Sequence, residues 1–185
     1  MTPRRRAVRL WGAWILALVY FWLARPDTES LWTGGAVIGA GLVVRAWAAG
    51  VLEKDRELAV SGPYAFTRNP LYLGSFVIGV GAAFAGGRTW IGAVFLAFFI
   101  WAYRGTMARE DDRLEERFGE WYRSYRHAVP AFLPRLTPYR PPRETTVAPT
   151  RFSLARYMRN REWEAALGGV AGMGILLLKA GGYLG

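Results

Sequence analysis

The sequence contains no cysteine and only one histidine, His127. The absence of cysteine excludes disulfide bonds, thiolate metal sites and cysteine nucleophiles. A single imidazole is too little for a histidine-based metal site, so we expect no bound metal. Acidic residues are also few beside basic ones, 14 against 24, and the net charge is +10.

Apolar residues, in contrast, are abundant. Hydrophobic residues make up 52% of the 185 residues and aromatic residues 15%, with nine tryptophans. A soluble domain this apolar is not usually so basic. The two properties are reconciled if apolar and basic residues occupy different stretches, and they do. The length suits one domain rather than two.

Four apolar stretches approach the length of a membrane span, which is roughly 20 residues and at least about 17. The last two are the shortest and follow each other closely, so we expect a tight helical hairpin. A fifth stretch, Trp163–Leu178, is compatible with a span, a re-entrant piece or an interfacial helix, and we favour the span. The four stretches are Val8–Ala24, Leu31–Gly50, Leu71–Gly86 and Thr89–Tyr103.

The basic residues follow the ends of these stretches. Arg25 and Arg88 are the only ones in the two loops that we place outside. The positive-inside rule therefore puts the N-terminus, the loop Val51–Asn69 and the segment Arg104–Arg161 in the cytoplasm. Attraction to anionic lipid headgroups explains this pattern better than nucleic-acid binding, which would gather the arginines on one face. We predict an all-α integral membrane helical bundle with four to five transmembrane helices, cytoplasmic amphipathic helices, a bacterial-type inner membrane location and no nucleic-acid partner.

The long cytoplasmic segment divides in two. Thr106–His127 is predicted to be a helix because its large apolar and aromatic residues recur at spacings of three and four. Ala128–Pro149 is rich in proline, which ends regular structure, and we expect it to run extended along the membrane surface. Phe152–Glu164 is predicted to be another amphipathic helix that leads into the last apolar stretch.

The most informative stretch lies just before the third span. It reads SGPYAFTRNPLYLG from Ser61 to Gly74 and contains two turn signals, Gly62-Pro63 and Asn69-Pro70. Proline suits the first turn of a helix, where its missing donor does no harm. From these residues alone, a helix start with interfacial tyrosine anchors and a functional site both remain open.

A second run follows the fourth span. It reads REDDRLEERFGEWYRSY from Arg109 to Tyr125, and VPAFLP follows from Val129 to Pro134. Together the two runs resemble the isoprenylcysteine carboxyl methyltransferase and phospholipid methyltransferase superfamily. Members share Gly-Pro-Tyr and Arg-His-Pro-x-Tyr-x-Gly before one span, then an acid pair, Leu, Phe-Gly and two tyrosines after the next. The resemblance covers about residues 45–134 of a single domain spanning 1–185, and leaves a C-terminal extension at 135–185.

The resemblance implies an enzyme that transfers a methyl group from S-adenosyl-L-methionine to a lipid or lipid-like acceptor at the cytoplasmic membrane face. We favour an isoprenoid-type carboxylate acceptor, because a carboxylate needs no base whereas a protonated amine must first lose a proton. Three alternatives stay open: a phosphatidylethanolamine-type N-methyltransferase, an NADPH-dependent membrane reductase and a non-catalytic membrane protein.

The resemblance also implies roles for single residues. Glu110 with Asp111 would hold the amino group of the cofactor, and Arg68 would hold its carboxylate. Asn69 stands where the family usually has histidine, and Ala65 where it often has arginine. Helix packing is an equal alternative for Gly79 and Gly81. For the intramembrane Arg45, snorkelling is favoured over the role near the acceptor headgroup that the resemblance implies. The cofactor-binding candidates are Tyr64, Arg68, Asn69, Pro70, Tyr72, Gly74, Gly79, Gly81, Glu110 and Asp111, and the catalytic candidates are Asn69, Tyr122, Tyr125 and Arg45.

Overall fold

The computed structural model describes residues 3–53, 57–142 and 151–184. Within these ranges the chain forms α-helices and one 3₁₀ turn, and no strand. The all-α bundle predicted from the sequence is confirmed. The elements are α1 (Pro3–Leu23), α2 (Thr28–Val51), the 3₁₀ turn (Gly62–Ala65), α3 (Pro70–Ala85), α4 (Thr89–Ala128), α5 (Leu154–Arg159) and α6 (Trp163–Ala180).

Three helices are long and apolar enough to cross a membrane by length and composition: α2, α4 from Trp90 onward, and α6. Two shorter apolar helices, Trp11–Leu23 and Pro70–Ala85, accompany them. The outer surface of the bundle carries large apolar side chains, and four tryptophans are at least 67% exposed. Such a surface is stable against lipid and unfavourable in water. The four are Trp11, Trp14, Trp22 and Trp32.

The short loops between α1 and α2 and between α3 and α4 lie together at one end of the bundle. Arg25 donates its backbone N–H to the carbonyl of Gly86 at 2.8 Å. Gly87 has a φ of 66°, and a Cβ on it would lie 2.2 Å from the carbonyl oxygen of Arg25. Only glycine therefore fits the turn between α3 and α4. The loop that follows α2 lies at the opposite end.

Helix α6 runs the length of the bundle between these two ends. At its start, Glu162 pairs with Arg45 near the carboxyl end of α2. At its finish, Lys179 Nζ donates to the carbonyls of Phe21 and Trp22 at 2.7 and 2.8 Å, at the carboxyl end of α1. The 18 residues of α6 are long and apolar enough to cross a membrane by length and composition. The favoured interpretation of the fifth stretch, a full span, agrees with this path.

The boundary predicted between the fourth span and a separate cytoplasmic helix is wrong. Helix α4 continues without interruption through Gly105 and Thr106, and no proline stands there. It breaks instead at Gly119, whose φ of 56° and ψ of −132° are not helical. The helix predicted over Phe152–Glu164 is likewise shorter, since a turn with Arg161 at φ 58° separates α5 from α6.

Regular structure ends after Ala128 as expected, and residues 129–142 are here called the return segment. The segment folds back on the loop before α3. Arg135 donates its N–H to Phe66 O at 2.9 Å, and Tyr139 donates to Ala65 O at 2.8 Å. The rest of the predicted extended stretch, residues 143–150, lies outside the described residues.

Helices α2 and α3 form the closest helix contact of the bundle, through glycine. A Cβ on Gly41 would lie 2.8 Å from Gly74 O, and a Cβ on Gly81 would lie 2.8 Å from Gly34 O. Lipid offers little hydrophobic drive for helices to associate, so close backbone approach through small residues supplies the packing energy. These two glycine pairs therefore set the separation of α2 and α3.

Alanine at Gly41 should destabilise the fold, because the added methyl group overlaps the backbone of α3. We expect a loss of about 1–3 kcal/mol in the free energy of unfolding, as for other overpacked sites. Gly39 on the same helix has open space where a methyl group would be added, with nothing within 4 Å, so Gly39→Ala is the matched control. Unfolding in detergent by a mild denaturant series measures both. Equal stability of the two variants would contradict the close contact.

Candidate functional site

The loop before α3 is a buried turn held by its own backbone. Gly62 begins the 3₁₀ turn with a φ of 58°, and Pro63 follows it. Phe66 and Thr67 both donate their N–H groups to the Pro63 carbonyl, at 3.1 and 3.2 Å. Thr67 and Asn69 are almost completely buried. The turn signals of the sequence thus produce a rigid loop and not a flexible linker.

The second run of the sequence motif is bonded directly to this loop. Tyr125, near the end of α4, donates its hydroxyl hydrogen to the backbone carbonyl of Tyr64 at 2.7 Å. Asn69 Nδ2 donates to the carbonyl of Ala131 in the return segment at 2.9 Å. Arg68 donates its backbone N–H to Pro130 O at 3.0 Å. The two runs therefore form one structural unit across a helical hairpin.

A buried cluster of three side chains lies at the centre of this unit. Arg68 Nη1 is 2.8 Å from Asp111 Oδ1, with side chains only 9% and 13% exposed. Arg68 Nη1 also donates to Tyr122 Oη at 3.0 Å, and Tyr122 donates its hydroxyl hydrogen to Asp111 in a short bond. Each of the three side chains is a hydrogen-bond or ion-pair partner of the others. A charge pair with so little solvent contact requires such partners.

A polar cavity of about 340 Å³ opens beside this cluster. It is bounded by the end of α2, the loop before α3, the start of α3 and the charged half of α4. Most of the site candidates line it, including all four catalytic candidates. The ten site candidates that line the cavity are Arg45, Tyr64, Arg68, Asn69, Pro70, Tyr72, Glu110, Asp111, Tyr122 and Tyr125.

The three glycine candidates do not line this cavity. Gly74 faces Arg45 of α2, where a Cβ would lie 2.5 Å from Arg45 Cγ. Gly81 belongs to the α2–α3 contact, and a Cβ on Gly79 would lie 2.0 Å from the ring of Phe95 on α4. A neighbouring helix occupies the space beside each glycine, and Gly79 also lines the apolar groove described below. These contacts favour helix packing, the alternative weighed from the sequence for Gly79 and Gly81.

Sequence reasoning missed several residues of the cavity wall. Ser75 and Tyr103 lie at its deep end, and the ring of Tyr103 is 5.3 Å from that of Tyr72. Ser75 follows Tyr72 by three residues, so helical spacing alone places both on one face of α3. Glu53 and Glu57, from the loop after α2, also line the cavity. No spacing rule would have placed those two there, because neither of them lies in a helix.

An apolar groove of about 260 Å³ adjoins the polar cavity. It lies between α1, α3 and α4 and is lined largely by apolar and aromatic side chains, among them Leu16, Phe95 and Phe98. Ser75 and Tyr103 line both spaces, so the two meet there. A ligand with a polar head and a long apolar tail matches this pair of spaces.

The charges and donors of the cavity suit an amino acid group with a nearby cation. Arg68 Nε is buried and has no hydrogen-bond partner among the described residues, so it is available to a carboxylate. Glu110 pairs with Arg113 at 3.1 Å near the surface, where both side chains are more than one-third exposed. Surface pairs of this kind are weak, so an ammonium group can replace Arg113. The tyrosine faces suit a sulfonium.

The tyrosine hydroxyls of the site keep their protons. Burial, with the nearby carboxylate of Glu110, raises the pKa of Tyr64 above its usual range. The hydroxyl hydrogens of Tyr122 and Tyr125 are already donated, to Asp111 and to the carbonyl of Tyr64. None of the three is arranged to accept a proton from a substrate. Among the described residues there is no group of three or more histidine, aspartate or glutamate side chains that could hold a metal ion.

The profile of the phospholipid methyltransferase family matches residues 8–121. The chain belongs to that family. The match contains both runs of the motif as far as Trp121 and both helices of the hairpin between them. It ends before the return segment, α5 and α6. The superfamily resemblance read from the sequence is thereby confirmed.

Three curated proteins are similar in sequence. The nickel-cobalt-cadmium resistance protein NccN of Alcaligenes xylosoxydans xylosoxydans is 27% identical over 146 residues, which cover 74% of this chain and 68% of that protein. The cobalt-zinc-cadmium resistance protein CzcN of Cupriavidus metallidurans is 30% identical and covers 70% and 65%. The protein-S-isoprenylcysteine O-methyltransferase of Schizosaccharomyces pombe is 28% identical over 100 residues and covers 54% and 42%. No solved structure matches.

Asparagine at Asp111 should destabilise the protein, because it leaves the buried guanidinium of Arg68 without its counter-ion. We expect a loss of about 3 kcal/mol in the free energy of unfolding. The adjacent Asp112 is exposed, so Asp112→Asn makes the same chemical change outside the cluster and should cost less than about 0.5 kcal/mol. Denaturant unfolding of the two variants in detergent distinguishes them. Comparable stabilities would show that the buried cluster is not required for folding.

Proposed function

We propose that the protein transfers the methyl group of S-adenosyl-L-methionine to a lipid-like acceptor at the cytoplasmic face of the membrane. The observation that carries the proposal is a polar cavity, built from both runs of the family motif, that joins an apolar groove at Ser75 and Tyr103. Family membership supports methyl transfer. The arginine-rich end of the bundle supports the cytoplasmic placement.

In this proposal the cofactor is held by residues of both runs. Arg68 would bind its carboxylate through the buried Nε, and Glu110 would bind its ammonium. Tyr64 and Tyr72 would offer aromatic faces to the sulfonium. Asp111 and Tyr122 would act indirectly, since their contacts orient Arg68. These roles agree with the chemistry of each group and with its place on the cavity wall.

A carboxylate is the acceptor that the site suits best. S-adenosylmethionine, held by Arg68 and Glu110, would supply an electrophilic methyl group and leave as a neutral thioether. A carboxylate acceptor would not have to lose a proton to receive that methyl group. The hydroxyls of Tyr122 and Tyr125 are engaged as donors, and Asn69 does not titrate. The residues would contribute alignment of the acceptor and exclusion of water.

A phospholipid amine is the second candidate acceptor, and the name of the matching family favours it. An ammonium acceptor would have to lose a proton before attack. Glu53 and Glu57 are the remaining carboxylates of the cavity wall that lie outside the proposed cofactor contacts. The apolar groove would serve the acyl chains of this acceptor as well as an isoprenoid tail.

Purified protein should bind S-adenosylhomocysteine and not NADPH. The cavity offers a carboxylate for an ammonium and an arginine for a carboxylate, which match the amino acid part of the first ligand. Equilibrium titration of the full chain in lipid nanodiscs with each ligand measures the difference. Tight NADPH binding without S-adenosylhomocysteine binding would point to a membrane reductase and overturn the proposal.

Glutamine at Glu110 should weaken S-adenosylhomocysteine binding by about tenfold or more, the usual value of a hydrogen bond to a charged group. The substitution keeps the shape of the side chain and removes the charge that attracts the ammonium. Glu116 is an exposed acid on the same helix and is not among the residues lining the cavity, so Glu116→Gln is the matched control. If both variants bind as tightly as the wild type, Glu110 does not belong to the cofactor site.

A further inference from the structure

Arg45 has a counter-ion that is distant in sequence. Its Nε and Nη2 donate to the two carboxylate oxygens of Glu162, each at 2.9 Å. The side chains of this pair are 21% and 11% exposed. The remaining terminal nitrogen, Nη1, donates to Leu71 O at 3.2 Å and to Ser75 Oγ in a short bond. The guanidinium is thus held flat between α3 and the start of α6.

Glu162 comes from a segment that lies beyond the family match. That segment is fixed to the carboxyl end of α2, where helix carbonyls lack partners within the helix. Asn160 Nδ2 donates to Ala49 O at 2.9 Å, and Arg156 Nε donates to Gly50 O at 2.8 Å. The ring of Phe152 fills the space beside Gly50. The position of Glu162 is therefore set by several contacts and not by the ion pair alone.

The pair lies where the two ligand spaces meet. Arg45 lines the polar cavity, and its partner Ser75 lines both the cavity and the apolar groove. A lipid with its tail in the groove must bring its head past Ser75 to reach the cavity. Arg45 is the cationic side chain that the described structure bonds to that serine.

We propose that Arg45 recognises the anionic head of the methyl acceptor, and that Glu162 is the positioning residue that holds the guanidinium until the acceptor carboxylate takes its place. This inference rests on the proposed function and assigns it an acceptor class. In this exchange the carboxylate of the acceptor replaces that of Glu162 on the Arg45 guanidinium, which is planar and can donate two parallel hydrogen bonds. An uncharged head that displaced Glu162 would leave Arg45 without a counter-ion in a poorly solvated place, whereas a carboxylate supplies that counter-ion. The ion pair thus selects against neutral lipids that fit the groove.

The test compares two probes that differ only in charge: a C15 isoprenoid thioether carboxylate and its primary amide. Their affinities for the full chain in nanodiscs are measured by scintillation proximity, and the ratio of the two is the readout. The wild type should favour the carboxylate. Glu162→Gln should raise that preference by about tenfold, because the competing charge is gone while the side-chain shape remains. Glu164→Gln, at an exposed acid two residues away, should leave it unchanged.

A double variant removes the recognition group without leaving a buried charge unpaired. Arg45→Gln with Glu162→Gln should abolish the preference for the carboxylate over the amide. If the ratio for either variant at Glu162 equals that of the Glu164 control, the inference is overturned. A purely structural role would change the two affinities together and leave the ratio constant, which also overturns it.

Titration with S-adenosylhomocysteine on the same samples separates the two proposals. The single variant Glu162→Gln should bind it within about twofold of the wild type, since Glu162 is not among the residues that line the cavity. If the wild type does not bind S-adenosylhomocysteine but shows the expected probe ratios, the methyltransferase proposal is refuted. The site would then be a carboxylate-selective lipid site. Normal S-adenosylhomocysteine binding with unaltered ratios would refute the role of Arg45 and Glu162 alone.

Discussion

The site depends on the buried pair of Arg68 and Asp111, with Tyr122 bonded to both. This contact joins the loop before α3 to the charged half of α4 and so fixes the two main walls of the cavity. Its net contribution to stability is limited, because removing two charges from water offsets most of their attraction. In the proposed function the pair has a different importance: it holds a desolvated guanidinium, whose Nε lacks a hydrogen-bond partner among the described residues, at the cavity wall. A ligand carboxylate would meet that group without having to strip its water.

The membrane explains why the polar groups gather at one end. Within lipid, helices gain little by burying apolar surface against each other, so α2 and α3 meet through glycine backbones and leave no space between them. The cavity can therefore form only where the helices end and irregular chain begins. The loop before α3, the return segment and the end of α4 supply that irregular chain, and hydrogen bonds between these elements hold it in place. The apolar groove between α1, α3 and α4 is the only part of the proposed site that extends towards the lipid within the described residues.

Much of this arrangement was predictable, for identifiable reasons. Apolar run length determined the spans, and the order of turn residues, acids and tyrosines predicted which segments meet, because those features are local. The contacts that lie far apart in sequence were not predictable. Nothing in the sequence states that Glu162 faces Arg45, 117 residues away. The glycines of α3 could not be assigned either, since a small residue suits a ligand and a neighbouring helix equally, and only the positions of α2 and α4 decide. The continuity of α4 was missed because a change from apolar to charged residues resembles a helix end, while the backbone breaks only where Gly119 adopts a positive φ.

Asn69 bears both on the fold of the site and on the chemistry of the acceptor. It occupies the position where the family usually has histidine, yet its Nδ2 is bonded to the carbonyl of Ala131 and its side chain is almost completely buried. Here the residue fastens the return segment to the loop and cannot exchange a proton. A site that methylates a carboxylate has no need of a proton acceptor at that position. It does need a means of choosing anionic lipids over the neutral lipids around it, and the pair of Arg45 and Glu162 lies where that choice would be made. Two features of this chain are therefore consistent with methylation of a carboxylate. Asn69, which does not titrate, stands where the family usually has histidine, and Glu162 comes from beyond the family match.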